Sequence, residues 1–306
     1  MVFAPLSKDG NTWGRWLRAA LTLLVALTLA ACSVLPRFGY ENLPMLAGWR
    51  LDHYLDLSAE QKTLARQRLE ALQAWHRRTQ LADYQDWLQA VQHRLATGPV
   101  DEAQLRTWRG EVAARWLPLA EHMAPAVADL ARTLTPEQIA RLRRALEEDN
   151  EKLRKDWLPV DPTERIEVRS KRYLERAERF LGRLTPEQKQ LARRMAAEAP
   201  DTESIWYAQR LARQQDLLAL LERLRRERPD EATATRWVRA HLTDAWMPAG
   251  AAQQAGVESS LAAGDEMAAA LLARATPKQR EHLQRTLQDW IGLLGSLRGA
   301  PAGARG

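Results

Sequence analysis

The sequence predicts an all-α protein, a multi-helix bundle built from two duplicated helical halves packed together, and three observations predict it. Leu, Ala, Arg, Glu and Gln dominate while Phe, Val and Ile are scarce, which favours helix formers over the β-branched and aromatic residues of strands. Four separate segments carry the same N-terminal helix signal. Behind those signals apolar residues recur every three or four positions, the period of a helix with one face turned to a core. With 306 residues, 45% apolar and 27% charged, there is material for one large or two modest globular units.

The first element is not part of the bundle. Lys8, Arg15 and Arg18 precede an uncharged, Leu-rich run, Ala19 to Ala31, that ends in small residues, the layout of a secretory signal. The run is shorter than the roughly 20 residues needed to span a bilayer as a helix. Leu29-Ala30-Ala31-Cys32 looks like a lipobox, at which bacterial lipoproteins are lipidated on the cysteine and cut just before it. Cys32 is the only cysteine in the chain, so it has no disulfide partner. A lipidated cysteine with several acyl chains would be anchored stably, each buried methylene contributing about 0.8 kcal/mol. Ser33 follows it, where a residue other than Asp resembles the signal for the outer membrane. Residues 1–31 therefore read as a lipoprotein signal peptide and residues 32–48, with two prolines and two glycines, as a lipidated tether.

Helix starts follow at Leu57-Ser58-Ala59-Glu60-Gln61, Leu134-Thr135-Pro136-Glu137-Gln138, Leu184-Thr185-Pro186-Glu187-Gln188 and Ala275-Thr276-Pro277-Lys278-Gln279. In each, Ser or Thr supplies the N-cap oxygen and Gln three residues later completes a capping box. Pro suits the first turn, where its missing N–H costs nothing. After Thr135 the stripe is Ile139, Leu142, Leu146, Leu153 and Trp157; after Ser58 it is Ala65, Leu69, Leu72 and Trp75. Breaks at Gly98-Pro99, Leu117-Pro118, Leu158-Pro159, Pro200, Pro229 and Met247-Pro248 divide the chain into about ten helical segments.

The landmarks recur in order. Leu57-Ser58, Asp86-Trp87, Trp116-Leu117-Pro118, Leu134-Thr135 and Asp156-Trp157 are followed by Leu184-Thr185, Asp216-Leu217, Trp246-Met247-Pro248, Ala275-Thr276 and Asp289-Trp290. Most of the irregularity in spacing falls in the Ala/Gly-rich stretch Ala249 to Gly264, which reads as an insertion. The recurrence implies a first helical half at 49–160, a second at 161–297 and a Gly/Ala/Pro tail at 298–306.

Charge and motifs narrow the function. The formal charge of +6 would fall by two, to +4, in a chain starting at Cys32, because Lys8, Arg15 and Arg18 leave together with Asp9. So small a surplus over alternating Arg and Glu indicates solvated faces, and no nucleic acid is expected as a partner. No nucleophile elbow, phosphate loop or metalloprotease motif is present, so no catalytic residue, metal or cofactor is assigned. The histidines His53, His76, His93, His122, His241 and His282 are scattered. Asp52 and Asp56 share a helix spacing but read as capping and solvent groups. Ten tryptophans follow Cys32, several at helix ends beside Arg or Pro, and most read as core. Trp75, His76, Trp116 and Trp246 are the candidate partner-binding residues.

Tyr40-Glu41-Asn42-Leu43-Pro44, Asp52-His53-Tyr54-Leu55-Asp56-Leu57, Gln61 and Trp75-His76-Arg77 with Leu81 and Tyr84 resemble an uncharacterised family of bacterial lipoproteins, known only as a domain of unknown function. The likeness covers residues 29 to 90 and implies localisation and a helical fold, with no catalytic residue. The L-T-x-x-Q pattern at Leu134/Thr135/Gln138 and Leu184/Thr185/Gln188 is similar to the paired motif of the periplasmic helical chaperones Spy and CpxP, which hold unfolded clients without ATP. Ser58 and Ala275 depart from it at one position each.

Together these readings describe a non-enzymatic envelope lipoprotein, anchored through acyl chains such as palmitate and facing the periplasm from the outer membrane. Its expected partner is another envelope protein, which it would serve as holdase, assembly or scaffold factor. A lipid or envelope-glycan binding protein is the alternative, and an envelope hydrolase a third. The lipid reading requires a continuous apolar cavity between the helical halves.

Overall fold

The structure, a computed structural model, describes residues 37–159, 161–200, 203–244 and 251–299. Leu29, Ala30, Ala31, Cys32 and Trp246 lie outside the described residues. The chain divides into two units, Met1–Leu43 and Pro44–Gly306. In the first, Arg37 and Glu41 form an ion pair at 2.8 Å and the Asn42 side chain donates to the Phe38 carbonyl.

Twelve helices and no strand are found among the described residues. In order they are α1 (Leu43–Leu55), α2 (Ala59–Thr79), α3 (Leu81–Thr97), α4 (Glu102–Ala114), α5 (Trp116–Ala131) and α6 (Pro136–Trp157). Then follow α7 (Pro162–Leu181), α8 (Pro186–Glu198), α9 (Glu203–Glu227), α10 (Glu231–Asp244), α11 (Ala251–Ala273) and α12 (Pro277–Gly299). None of these is long and apolar enough to cross a membrane.

All four expected capping boxes form, at the starts of α2, α6, α8 and α12. They also meet in pairs. Gln61 Nε2 donates to Gln138 Oε1 at 3.0 Å while Gln138 Nε2 donates to Gln61 Oε1 at 2.7 Å. Gln188 and Gln279 do the same at 2.9 and 2.8 Å. Each amide also donates to a carbonyl two residues before the facing cap: Thr133, Asp56, Arg274 and Arg183. These four glutamines are buried, and the reciprocal bonds satisfy amides that would otherwise cost about 1–3 kcal/mol each.

Two apolar cores surround the two glutamine pairs. The first joins the ends of α1 and α2 to α5, α6, α9 and α10; the second joins α7, α8, α11 and α12 to Leu88 and Leu95 of α3. Each core thus takes helices from both halves of the sequence. The contacts repeat with the same pattern: α3 lies on α12 as α9 lies on α6, α4 on α11 as α10 on α5, and α8 on α11 as α2 on α5. In effect α3–α4 and α9–α10 are exchanged between the halves. Small residues let α5 and α10 approach: Ala120, Ala124 and Ala128 on one and Ala234 on the other are fully buried. At the α9–α11 crossing, Gly256 leaves room for Ile205, which a Cβ there would strike.

Several expectations change. The tether at 32–48 is not irregular throughout, since α1 already begins at Leu43 with Pro44 in its first turn, where proline is tolerated. The break expected at Leu117-Pro118 falls two residues earlier, at Arg115, so α5 starts at Trp116 and the proline lies in its first turn. The break at Gln80 carries neither Gly nor Pro, so no local signal marks it. Among the described tryptophans none is fully buried: Trp237 packs against the edge of the first core, while Trp49, Trp157, Trp206 and Trp290 are exposed. Trp157, placed last on the α6 stripe, instead lies at the surface under the Arg172 guanidinium, 4.3 Å from its ring centre.

Candidate functional site: an apolar pocket in the second core

The second core is incompletely filled. A pocket of about 370 Å³ opens between α3, α4, α7, α11 and α12, at the small end of the roughly 300–1,000 Å³ typical of ligand sites. Its walls come from both halves of the sequence. Gly264 and Ala268, one turn apart on α11, leave the hollow, and a Cβ at Gly264 would meet nothing within 4 Å. Leu88, Val91 and Leu95 of α3 and Leu283 and Leu287 of α12 supply the branched aliphatic surface.

Aromatic rings frame it. Phe180 and Trp290 meet edge to face with ring centres 5.5 Å apart, which joins α7 to α12. Trp87 is fixed by its own N–H, which donates to Glu111 Oε2 at 2.6 Å, and Arg115 lies 5.3 Å above its ring. Trp108 comes from α4, which Arg109 holds to α11 through Asp265 at 3.1 Å and Glu258 at 3.1 Å. A zipper of side-chain amides keeps α3 antiparallel to α12: Gln92 donates to the Gln284 carbonyl at 3.1 Å and Gln284 to the Gln92 carbonyl at 3.3 Å. The rings are therefore positioned by polar groups outside the pocket, and its lining stays apolar. Arg176 is the one charged residue in the lining, and it is exposed.

The equivalent place in the first core is polar. Tyr54 at the end of α1 donates a short hydrogen bond to Asp149 of α6 and accepts one from Arg50 at 2.6 Å. Asn150 Oδ1 accepts from Arg210 at 2.8 Å, and Asn150 Nδ2 donates to Gln214 at 2.6 Å. The bond from Tyr54, chiefly, holds the Asp149 carboxyl below its ordinary range, against some desolvation. Burial, reinforced by Asp149, pushes the Tyr54 phenol up.

The residues singled out from sequence sit elsewhere and are already engaged. Trp75 stacks on His122, ring centres 3.9 Å apart, and His76 meets Tyr84 edge-on at 5.4 Å. Burial lowers the His76 pKa; desolvation, then Arg78, lowers that of His122. The Trp116 indole N–H donates to the Leu242 carbonyl at 3.0 Å, fastening α5 to α10. Asp52 caps its own turn by accepting from Leu57 N–H at 2.9 Å and pairs with Lys62 at 3.1 Å, while Asp56 adopts φ 50° at the turn itself. Among the described residues no group of three or more His, Cys, Asp or Glu is placed to hold a metal ion. None of Trp75, His76 and Trp116 lines the pocket.

Fold and site define an all-α domain with two pseudo-equivalent cores, one of them hollow. The chain belongs to a family described only as a family of unknown function (DUF6279), whose model matches residues 53–237. This fits the likeness to an uncharacterised family carried by the motifs between Tyr40 and Tyr84. No curated protein and no solved structure matches the chain. No comparison shows a similarity to Spy and CpxP, and the L-T-x-x-Q segments are accounted for as capping boxes.

Proposed function

We propose that this is a lipid-anchored protein of the bacterial cell envelope whose helical domain binds an apolar ligand and catalyses no reaction. The observation that carries the proposal is the apolar pocket in the second core, whose walls come from both halves of the sequence. Its lining offers a non-polar ligand a large area to leave water, at roughly 25 cal/mol per Å² of apolar surface. Nothing in that lining is arranged as an acid, base or nucleophile. The anchor rests on Leu29-Ala30-Ala31-Cys32, and Ser33 after it supports placement at the outer membrane facing the periplasm.

The experiment joins both parts. Cells fed labelled palmitate incorporate it into the wild-type protein and not into Cys32→Ser. The fluorescence of N-phenylnaphthylamine rises on binding the wild-type domain, and at least tenfold less at equal probe concentration with Ala268→Phe, which fills the pocket. Unchanged binding by a folded Ala268→Phe protein sinks the pocket reading. A second reading, a protein partner, is favoured by one surface: Met45, Leu46 and Trp49 on α1 are exposed on one helix face, Trp49 by 65%. A photo-crosslinker in place of Trp49 that captured no envelope protein would remove it.

A further inference from the structure

The same pocket carries information about the charge of its ligand. We propose that it takes a single-chain anionic amphiphile, with the acyl chain in the hollow among α3, α7, α11 and α12 and the negative headgroup on Arg176. The inference rests on the apolar-ligand reading above and adds the headgroup.

Among the described residues no acid pairs with Arg176 at the rim, and several acids near it are engaged elsewhere. On its own helix, Glu175 pairs with Lys171 at 4.0 Å and Glu178 with Lys189 at 2.9 Å. Across the pocket, Glu111 accepts from Trp87, and Asp265 and Glu258 are held by Arg109. The neighbouring Arg172 is occupied by Glu203 at 2.8 Å and by the ring of Trp157. Among the described residues Arg176 has no ion pair or hydrogen bond, and Asp86 and Asp289, next in sequence to the rim tryptophans, do not reach it. A guanidinium has a fixed fork of donors suited to a carboxylate or phosphate oxygen pair. An unpaired fork at the mouth of an apolar pocket is therefore matched by one molecule carrying both features, a charged head on a hydrocarbon chain. The volume of about 370 Å³ sits near the lower limit of ligand sites, which fits one chain rather than two.

The test uses membranes containing the full-length protein and two photoreactive probes of equal length, a diazirine-bearing dodecanoic acid and the corresponding primary alcohol. After irradiation, adducts are located by mass spectrometry of α3 and α12 peptides. In the wild type the acid labels these peptides more strongly than the alcohol does. Arg176→Gln lowers acid labelling by roughly three- to fivefold, the loss of one ion pair at an exposed site, and leaves alcohol labelling unchanged. Arg176→Lys restores part of it. Unlabelled dodecanoate and a lysophosphatidylglycerol, added as competitors, distinguish a carboxylate source from a phosphodiester one. If acid and alcohol label equally and Arg176→Gln changes neither, the headgroup inference is overturned while the pocket reading stands. If neither probe reaches α3 or α12, the pocket reading itself fails.

Discussion

The two cores are built by one plan and finished differently. Asp149 and Trp290 are each the fourteenth residue after the cap of α6 and α12, and Tyr54 and Phe180 are each the last residue but one of the helix that precedes a glutamine box. One core closes this place with a tyrosine–aspartate hydrogen bond inside a polar cluster, and the other leaves two aromatic rings beside a hollow. The caps, the glutamine pairs and the exchanged helices are the same in both. The comparison teaches that the shared scaffold is held by local caps and close small-residue packing, which frees one core to leave a pocket in its interior.

Three changes would break or sharpen that comparison. The largest effect is expected where the cores are tied together. Arg169 of α7 is buried, bonded to both oxygens of Glu203 at the start of α9 at 2.9 and 2.7 Å and to the Ala196 and Ala199 carbonyls at 3.1 and 2.8 Å. Glu203→Gln takes the Glu203 negative charge away from that buried guanidinium and is expected to cost about 3–5 kcal/mol in urea unfolding. A cost under about 1 kcal/mol would mean that the two cores are not coupled through this pair.

Next in size is a matched pair of changes in the glutamine boxes. Gln61→Ala and Gln188→Ala each strand a facing glutamine and a cap N–H, and each is expected to cost about 2–3 kcal/mol. Equal losses support one plan for both cores, and a difference above about 1 kcal/mol would show that one core depends on its box far more than the other.

The smallest effect is a pH dependence confined to the polar core. The folded Asp149 carboxyl titrates below its unfolded value near 3.9, so its contribution is complete above that pH. It is lost as pH falls from there through the lower folded pKa. Thermal melts between pH 5 and pH 2 should show a steeper acid loss for the wild type than for Asp149→Asn. Parallel curves would remove Asp149 from the account. The Phe180–Trp290 pair, having no titrating group, makes no such contribution.

How much of this was legible from residues alone follows from the range of each interaction. The capping boxes were readable because a cap and its partners lie within three residues, and the all-helical class because helix preference is a property of each residue. The alanine stripe of α5 was not, because Ala120, Ala124 and Ala128 contribute through what approaches them rather than through their own bulk. The tryptophans misled for the opposite reason. A large ring predicts burial, yet at helix ends these rings are half-covered by an arginine or by one neighbouring helix.

The sequence by itself determined the helices, their starts and the repeat of landmarks, and it placed Cys32 in its motif. Only the tertiary structure decided that α3–α4 and α9–α10 change places, that facing glutamines pair across 77 and 91 residues of chain, and that a hollow remains beside Arg176. The reason is physical: a cap is satisfied within one turn, but a cavity is defined by five helices whose contacts no local pattern encodes.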